Sequence, residues 1–260
     1  MERYNRNILV EGIGVEGQAK LKASKVLVIG AGGLGSPALY YLAAAGVGTI
    51  GIVEDDIVNI TNLQRQILYV TNDIGRQKTK AAQEKLIALN PDVTTEIYNC
   101  RFTEDNAEKI IKGQNCNDSV IHSSEKLFKN HSYDFVVDCC DNFTTKLLIN
   151  DVCVQLKKPF SHGAVVAMRG EVMTCIPGSA CYRCVYENLP ENSPESASQQ
   201  SGILGPVAGI VGSIQASEAI KYLIGIRELI TDCILITDVK TMNFMSLHVI
   251  KRSSCICSKL

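Results

Sequence analysis

The sequence predicts an α/β fold: a doubly wound, mostly parallel sheet that continues into antiparallel strands and is preceded by an N-terminal helical arm. Three observations carry this expectation. Short apolar runs such as "VLVIG" and "TIGIVE" alternate with helical patterns as far as residue 162, and such runs are strands covered on both faces of a parallel sheet. From residue 163 onward, "GAVVAMRGEVMTCI" and "ILITDVKTMNFMSLHVI" alternate apolar and polar residues, the pattern of antiparallel strands with one solvated face. Residues 1–24 set Ile8, Leu9, Val10, Ile13 and Leu21 among polar neighbours, as an amphipathic helical arm does.

The elements follow in order. "VLVIG" is the first strand. Ser36-Pro37 opens a helix, with proline near the first turn where its missing N–H is not needed, and Gly46 and Gly48 end it. "TIGIVE" is the second strand. A helix spans about Lys78 to Leu89 and stops before Asn90-Pro91. "VTTEIYNC" and "YDFVVDCCDN" are strands, "TKLLINDVCVQLK" is a helix, and "KPFSHGAV" starts the next strand. "GPVAGIVGSIQASEAI" is a buried helix, because Ser213, Gln215, Ser217 and Glu218 break its apolar run. "YENLPENSPESASQQSG" is polar and rich in Pro and Ser, so residues 186–201 are expected to form a mobile loop. One domain is expected over 1–260, made of the arm (1–24), a mostly parallel half (25–162) and an antiparallel half (163–260).

The composition excludes several classes of function. The chain has 260 residues, 26 basic against 27 acidic, so nothing in the bulk charge points to nucleic acid or an anionic membrane. No apolar run reaches the roughly 18 residues of a membrane span, and "MERYNRNILV" lacks the pattern of an export signal. Eleven cysteines, an odd number, do not suit a secreted disulfide framework. Thiols in the cytoplasm, some on a metal, suit it better.

Gly30, Gly32 and Gly35 form G-x-G-x-x-G between a strand and a helix, with Gly33 as an extra glycine. The first permits the tight turn, the second lets the backbone approach phosphate, and the third lets helix and strand pack closely. The helix N-terminus offers N–H donors to an anion. Glu54 ends the second strand, where a carboxylate reaches ribose hydroxyls. These features indicate a nucleotide and leave a dehydrogenase and a nucleotidyl transferase both open.

The downstream segments "DIVNITNLQRQ", "GRQKTKAAQEKL" and "DCCDNFTTK" supply Asn62, Gln64, Arg65, Lys78 and Asp141, beside Asp56 and Asn142. A site that splits a triphosphate needs such cations, and a carboxylate to hold magnesium; a nicotinamide site needs few. Each residue also has a plainer reading. Arg6 is then a surface cation, Arg65 a helix cap and Asp141 a turn former. Lys78 stands at a helix start, an unfavourable place for a cation unless an anion is nearby.

Taken together, "RYNRNILVEGIGVEGQAKL", "GAGGLGSPALYYLAAAGVG", "NLQRQ", "GRQKTKAA", "DCCDN" and "CYRC" resemble the E1-like adenylyltransferases of the ThiF/MoeB/HesA family. The resemblance covers nearly the whole chain. It implies a Rossmann-like domain assembled as a homodimer, with ATP over the glycine turn and Glu54 in place of the usual ribose-binding Asp. It also implies that Asn62, Arg65 and Lys78 bind the triphosphate and that Asp141 holds magnesium. Arg6 would reach the ATP of the partner subunit. The reaction is attack of a carboxylate on the α-phosphorus, giving an acyl-adenylate and pyrophosphate.

Cys181 and Cys184 form C-x-x-C, which suits two ligands of a structural zinc. The family's matching pair is a C-terminal C-x-x-C, where this chain has Cys255-x-Cys257, one residue tighter. Relatives that capture the acyl group carry a loop cysteine at the position of Ser198, and no cysteine occurs between Cys184 and Cys233. Covalent capture after adenylation is therefore not expected. His162 is expected to be a satisfied loop histidine. The leading substrate is the C-terminal glycine of a ubiquitin-like sulfur-carrier protein. The alternatives are a small-molecule or peptide carboxylate, such as a pyridinol carboxylate in hydrogenase cofactor assembly, and a non-catalytic nucleotide-binding scaffold. The segment 113–132 is expected to be a surface excursion.

Overall fold

Strand β1 (Lys25–Ile29) sits at the middle of the molecule, and its side chains alternate between two cores. Val26 and Val28 face one, Leu27 and Ile29 the other, and all four are buried. The computed structural model describes residues 2–114, 120–122, 132–187 and 202–259. The remaining strands are β2 (Thr49–Val53), β3 (Thr94–Tyr98), β4 (Val120–His122), β5 (Phe135–Asp138), β6 (Phe160–Val166), β7 (Arg169–Cys175), β8 (Cys233–Asp238) and β9 (Asn243–His248). The described residues form a nine-stranded sheet in the order β4-β3-β2-β1-β5-β6-β7-β8-β9. Strands β3, β2, β1, β5 and β6 are parallel, β4 is an antiparallel edge, and β7 to β9 continue the other side antiparallel. The chain runs outward from β1 to β3, then returns to β1's other side as β5. That reversal opens a crevice at the carboxyl ends of β1 and β5.

The helices are α1 (Asn5–Ile8), α2 (Gly14–Ala23), α3 (Gly35–Ala45), α4 (Lys78–Leu89), α5 (Glu104–Ile111), α6 (Phe143–Gln155), α7 (Tyr182–Val185), α8 (Gly205–Ile224) and α9 (Ile256–Lys259). Apolar residues of α2, α3, α4 and α8 join the core that holds Val26 and Val28. Those of α5 and α6, with Tyr182 and Cys255, join the other. This double cover explains why β3, alternating in sequence, is buried from Thr95 to Tyr98 on both faces. Its Glu96 is accommodated by Lys25 at 3.1 Å and the Tyr133 hydroxyl at 2.5 Å.

The expected arm is helical but broken. α1 and α2 are separate, Leu9 and Val10 are exposed, and Leu21 is buried. Positive φ at Gly12 and Gly14 accounts for the break, because left-handed residues cannot extend a helix. The helix over 78–89 and the stop at left-handed Gly46 are as the sequence indicates. Within 113–132, residues 120–122 add the edge strand β4; most of that segment, most of the expected loop 186–201, and Ser198 lie outside the described residues.

The turn after β1 is a close approach of backbones. Gly30 has φ of +94°, and a Cβ there would lie 2.7 Å from the Cys139 carbonyl oxygen. A Cβ at Gly35 would sit inside the Gly30 carbonyl oxygen. We expect Gly35→Ala to cost about 1–3 kcal/mol, the usual penalty for forcing an atom into a packed contact. Urea denaturation of the variant checks this.

Candidate nucleotide-binding site

A cavity of about 680 Å³ occupies the crevice at the carboxyl ends of β1 and β5. Its floor is the glycine turn, and Gly30, Gly32 and Gly33 line it. Gly35 does not; it is buried behind the turn as the packing glycine. Glu54, Asp56, Asn62, Gln64, Arg65, Lys78, Asp141 and Asn142 all line the cavity. Elements far apart in sequence thus converge on one space: the ends of β1, β2 and β5, the start of α4, and the segment between β2 and α4. Arg6 does not take part, and lies exposed on α1.

The polar groups are already engaged. Lys78 is buried at the start of α4, and its Nζ lies 2.6 Å from Asp56 Oδ2. The anion needed beside that helix start is therefore supplied by the chain itself. Burial opposes ionisation of Asp56, but the hydrogen bond and charge of Lys78 outweigh it and lower its pKa. Glu54 accepts from the Ala31 N–H at 3.0 Å and from the N–H groups of Asp55 and Asp56 at 3.1 and 3.2 Å. Burial nonetheless pushes its pKa above the ordinary value, against the pull of Lys78. The Arg65 stem lies against Gly33, and its Nη1 donates to the Thr61 carbonyl at 3.0 Å. Asn62 Oδ1 accepts from the Asn59 N–H at 3.0 Å, and Gln64 Nε2 lies 3.4 Å from the Ile203 carbonyl. Asn142 caps α6 by accepting from the Thr145 N–H at 2.9 Å, with exposed Asp141 just before it.

Two further cations line the cavity that sequence reasoning missed, Arg101 after β3 and Lys146 in α6. Lys146 ends the "DCCDNFTTK" segment, and the signal was its place in the first turn of a helix beside a conspicuously acidic turn. Its Nζ donates to the Gly163 carbonyl at 2.6 Å and pairs with buried Asp138 at 3.2 Å. Burial would raise the Asp138 pKa, yet Lys146, His162 and Cys140 hold it down at about 2. His162 corrects the expectation of a loop residue. It lies within β6, fully buried, with both ring nitrogens facing carboxylates. Cys139 is buried just after β5, and burial pushes its pKa up.

Outside this cavity, Cys181, Cys184, Cys255 and Cys257 gather, with all four Sγ atoms within 4.8 Å of one another. The Cys181–Cys255 pair is 3.6 Å apart and the Cys184–Cys257 pair 3.5 Å. Tetrahedral thiolates at zinc distance are about 3.8 Å apart, so this cluster fits a metal. The shorter C-x-C spacing does not prevent it, because Cys255 precedes α9 and Cys257 lies within its first turn.

A profile of the ThiF family matches residues 4–259. The chain belongs to the ThiF family. Over 250 residues it is 40% identical to the probable molybdopterin-synthase adenylyltransferase of Porphyra purpurea, a match covering 95% of this chain and 60% of that one. It is 40% identical to the sulfur carrier protein ThiS adenylyltransferase of Escherichia coli, covering 97% and 93%. It is 38% identical to the SAMP-activating enzyme E1 of Haloferax volcanii, covering 94% and 83%. Among solved structures, E. coli MccB with ATP superposes with a TM-score of 0.79 at 22% identity, covering 99% of this chain and 75% of that one. That likeness shows the Rossmann-like fold the ThiF family shares. No helix among the described residues is long and apolar enough to cross a membrane.

In this ThiF-family chain, the depressed Asp138 pKa has a consequence for acid stability. A carboxylate with a lowered folded-state pKa stabilises fully above its unfolded value, about 4. That contribution is lost as the pH falls toward about 2. Asp138→Asn should therefore flatten the acid limb of stability between these values, measured by urea unfolding across pH.

Proposed function

We propose that the protein uses ATP to adenylate a carboxylate, forming an acyl-adenylate with release of pyrophosphate. The single observation that carries this reading is the gathering of Arg65 and Lys78, with Asp141, around a cavity floored by the glycine turn. The relatives named as adenylyltransferases support it. Backbone N–H groups of the glycine turn would hold phosphate, and Glu54 would take the ribose hydroxyls. Asp56 releases Lys78 in part when a triphosphate competes for the ammonium. Asn62, Gln64 and Asn142 add hydrogen bonds, while Arg65 and Lys78 neutralise charge on the reacting phosphorus and the leaving pyrophosphate. Asp141 would hold magnesium, whose chemistry is to polarise the phosphoryl oxygens. The protein need supply no nucleophile, since in-line positioning and charge neutralisation carry the step.

The carboxylate is the C-terminal glycine of a ubiquitin-like sulfur carrier, a reading supported by the E. coli relative's name. A small-molecule carboxylate is the second reading, favoured by the absence of any cysteine between Cys184 and Cys233 that could capture an acyl group. The chain works as one adenylation domain in the cytoplasm, assembled as a homodimer in which Arg6 reaches the neighbouring active site. Exposed Leu9 and Val10, close to Arg6 on the arm, support a partner-covered surface. The four-cysteine cluster holds structural zinc that ties the C-terminal tail to the segment after β7.

Two sets of measurements test this. Arg65→Ala and Lys78→Ala should each lower ATP–pyrophosphate exchange by about 10² to 10³ while the protein still folds, the usual loss for one charge-stabilising group. Exchange should require a carrier ending in Gly-Gly; exchange with a small acid alone would favour the second reading, and exchange with neither would reject both. Protein purified without chelator should carry one zinc per chain, lost in Cys255→Ala together with protection of the tail from proteolysis.

A further inference from the structure

Behind the cavity wall lies a buried chain of polar groups that the adenylation reading does not use. Asp138 ends β5, Lys146 projects from α6, His162 lies in β6 and Glu171 in β7. Asp138 Oδ2 is 3.0 Å from His162 Nδ1 and 3.2 Å from Lys146 Nζ, while its Oδ1 accepts from the Cys140 N–H at 3.1 Å and faces the Cys140 thiol at 2.7 Å. His162 Nε2 is 3.2 Å from Glu171 Oε1, and the Tyr186 hydroxyl donates to Glu171 Oε2 at 3.1 Å. The Tyr182 ring covers the imidazole, with centroids 4.2 Å apart.

We propose that His162 is a positioning residue for adenylation: its two ring N–H groups donate at once to Asp138 and Glu171, and through Asp138 they hold the Lys146 ammonium against the wall of the nucleotide cavity. The proposal rests on the adenylation reading for its catalytic consequence. An ionised carboxylate only accepts hydrogen bonds. A ring nitrogen without its proton would turn a lone pair toward a carboxylate oxygen at 3.0 or 3.2 Å. His162 is fully buried, so water does not intervene. Both carboxylates have lowered pKa values although burial opposes ionisation: apart from the imidazole, the positive Lys146 favours the charged form of Asp138, and the Tyr186 hydroxyl favours that of Glu171.

Lys146 Nζ is held by the Gly163 carbonyl at 2.6 Å and by both Asp138 carboxylate oxygens at 3.2 and 3.3 Å. Lys146 also lines the cavity, as do Asp141 and Asn142. An ammonium has three N–H groups, and one of those shared with the carboxylate would turn to an anionic group of bound nucleotide. Asp138, anchored by His162 on one oxygen and Cys140 on the other, cannot swing to draw that ammonium away from the wall. Without the imidazole, Asp138 Oδ2 keeps only Lys146 among the described residues, so the carboxylate is free to shift and carry the ammonium with it, and Glu171 keeps only Tyr186.

The test has a spectroscopic arm and a kinetic arm. Nitrogen-15 NMR of the imidazoles in the purified protein, with His162 assigned by the signal lost in His162→Gln, should show both ring nitrogens protonated at neutral pH. One bare nitrogen overturns the proposal. In Glu171→Gln one of the two carboxylate charges facing the ring is gone, so the ring should lose its second proton at lower pH than in the wild-type protein; a ring that keeps both protons over the same pH range also overturns it, and this variant serves if His162→Gln does not fold. In ATP–pyrophosphate exchange, His162→Gln should lower kcat by about 10- to 100-fold, the scale of a small misplacement of a reacting group, with little change in KM for ATP. Added to Lys146→Ala, it should cost nothing further, because both changes remove the same interaction. Additive losses, or a wild-type kcat in His162→Gln, overturn the positioning role. Wild-type protein that shows no exchange with any carboxylate would fail the adenylation reading itself and leave the imidazole spectra to decide the buried chain.

Discussion

The Gly30 backbone lies so close to the Cys139 carbonyl that a single Cβ would not fit between them. That contact brings the exits of β1 and β5 together at the point where the sheet's winding reverses. The crevice, the glycine floor and the approach of α3 all follow from it. Gly35 makes the second half of the constraint, because α3 can start beneath the turn only if the Gly30 carbonyl meets a hydrogen there. The cavity is thus a consequence of backbone packing, and the side chains that line it are hung on a frame already fixed by two glycines.

Charge in the cavity is arranged in pairs. Lys78 leans on Asp56 and Lys146 on Asp138, so neither ammonium is left uncompensated when the crevice holds only water. The two pairs differ in burial. Asp56 is exposed, so Lys78 would be able to exchange it for phosphate. Asp138 is enclosed by His162, Cys140 and Lys146 and keeps its hydrogen bonds. On the proposed reading one cation would change partners and the other would stay fixed, a division that suits a site which must admit a triphosphate and still orient it.

The cysteine cluster joins the two ends of the second half of the chain. Its first pair flanks Tyr182, whose ring covers His162, and Arg183 between them pairs with Asp151 of α6 at 2.5 Å. A metal at the cluster would stiffen the same short helix that roofs the buried histidine. The tail and the nucleotide cavity are in this way joined through packed side chains, and α6 contributes to both.

The sequence by itself determined a great deal. Apolar runs, the glycine spacing and the helix stops at Gly46 and Asn90 are local signals, because strand, turn and helix are set by neighbours within a few residues. They located the sheet, the glycine floor and the helix over 78–89. The cationic and acidic motifs named Glu54, Asp56, Asn62, Gln64, Arg65, Lys78, Asp141 and Asn142, all of which line the cavity, since each sits at a fixed offset from one of those elements. Only the tertiary structure decided what those side chains touch. That Lys78 already has Asp56, that Gly35 packs and does not line, and that β3 is covered on both faces depend on segments far apart in the chain. The chain of Asp138, Lys146, His162 and Glu171 was invisible for the same reason. Its members come from three strands and a helix, and only parallel pairing of β5 with β6, then antiparallel pairing with β7, sets their side chains against one another.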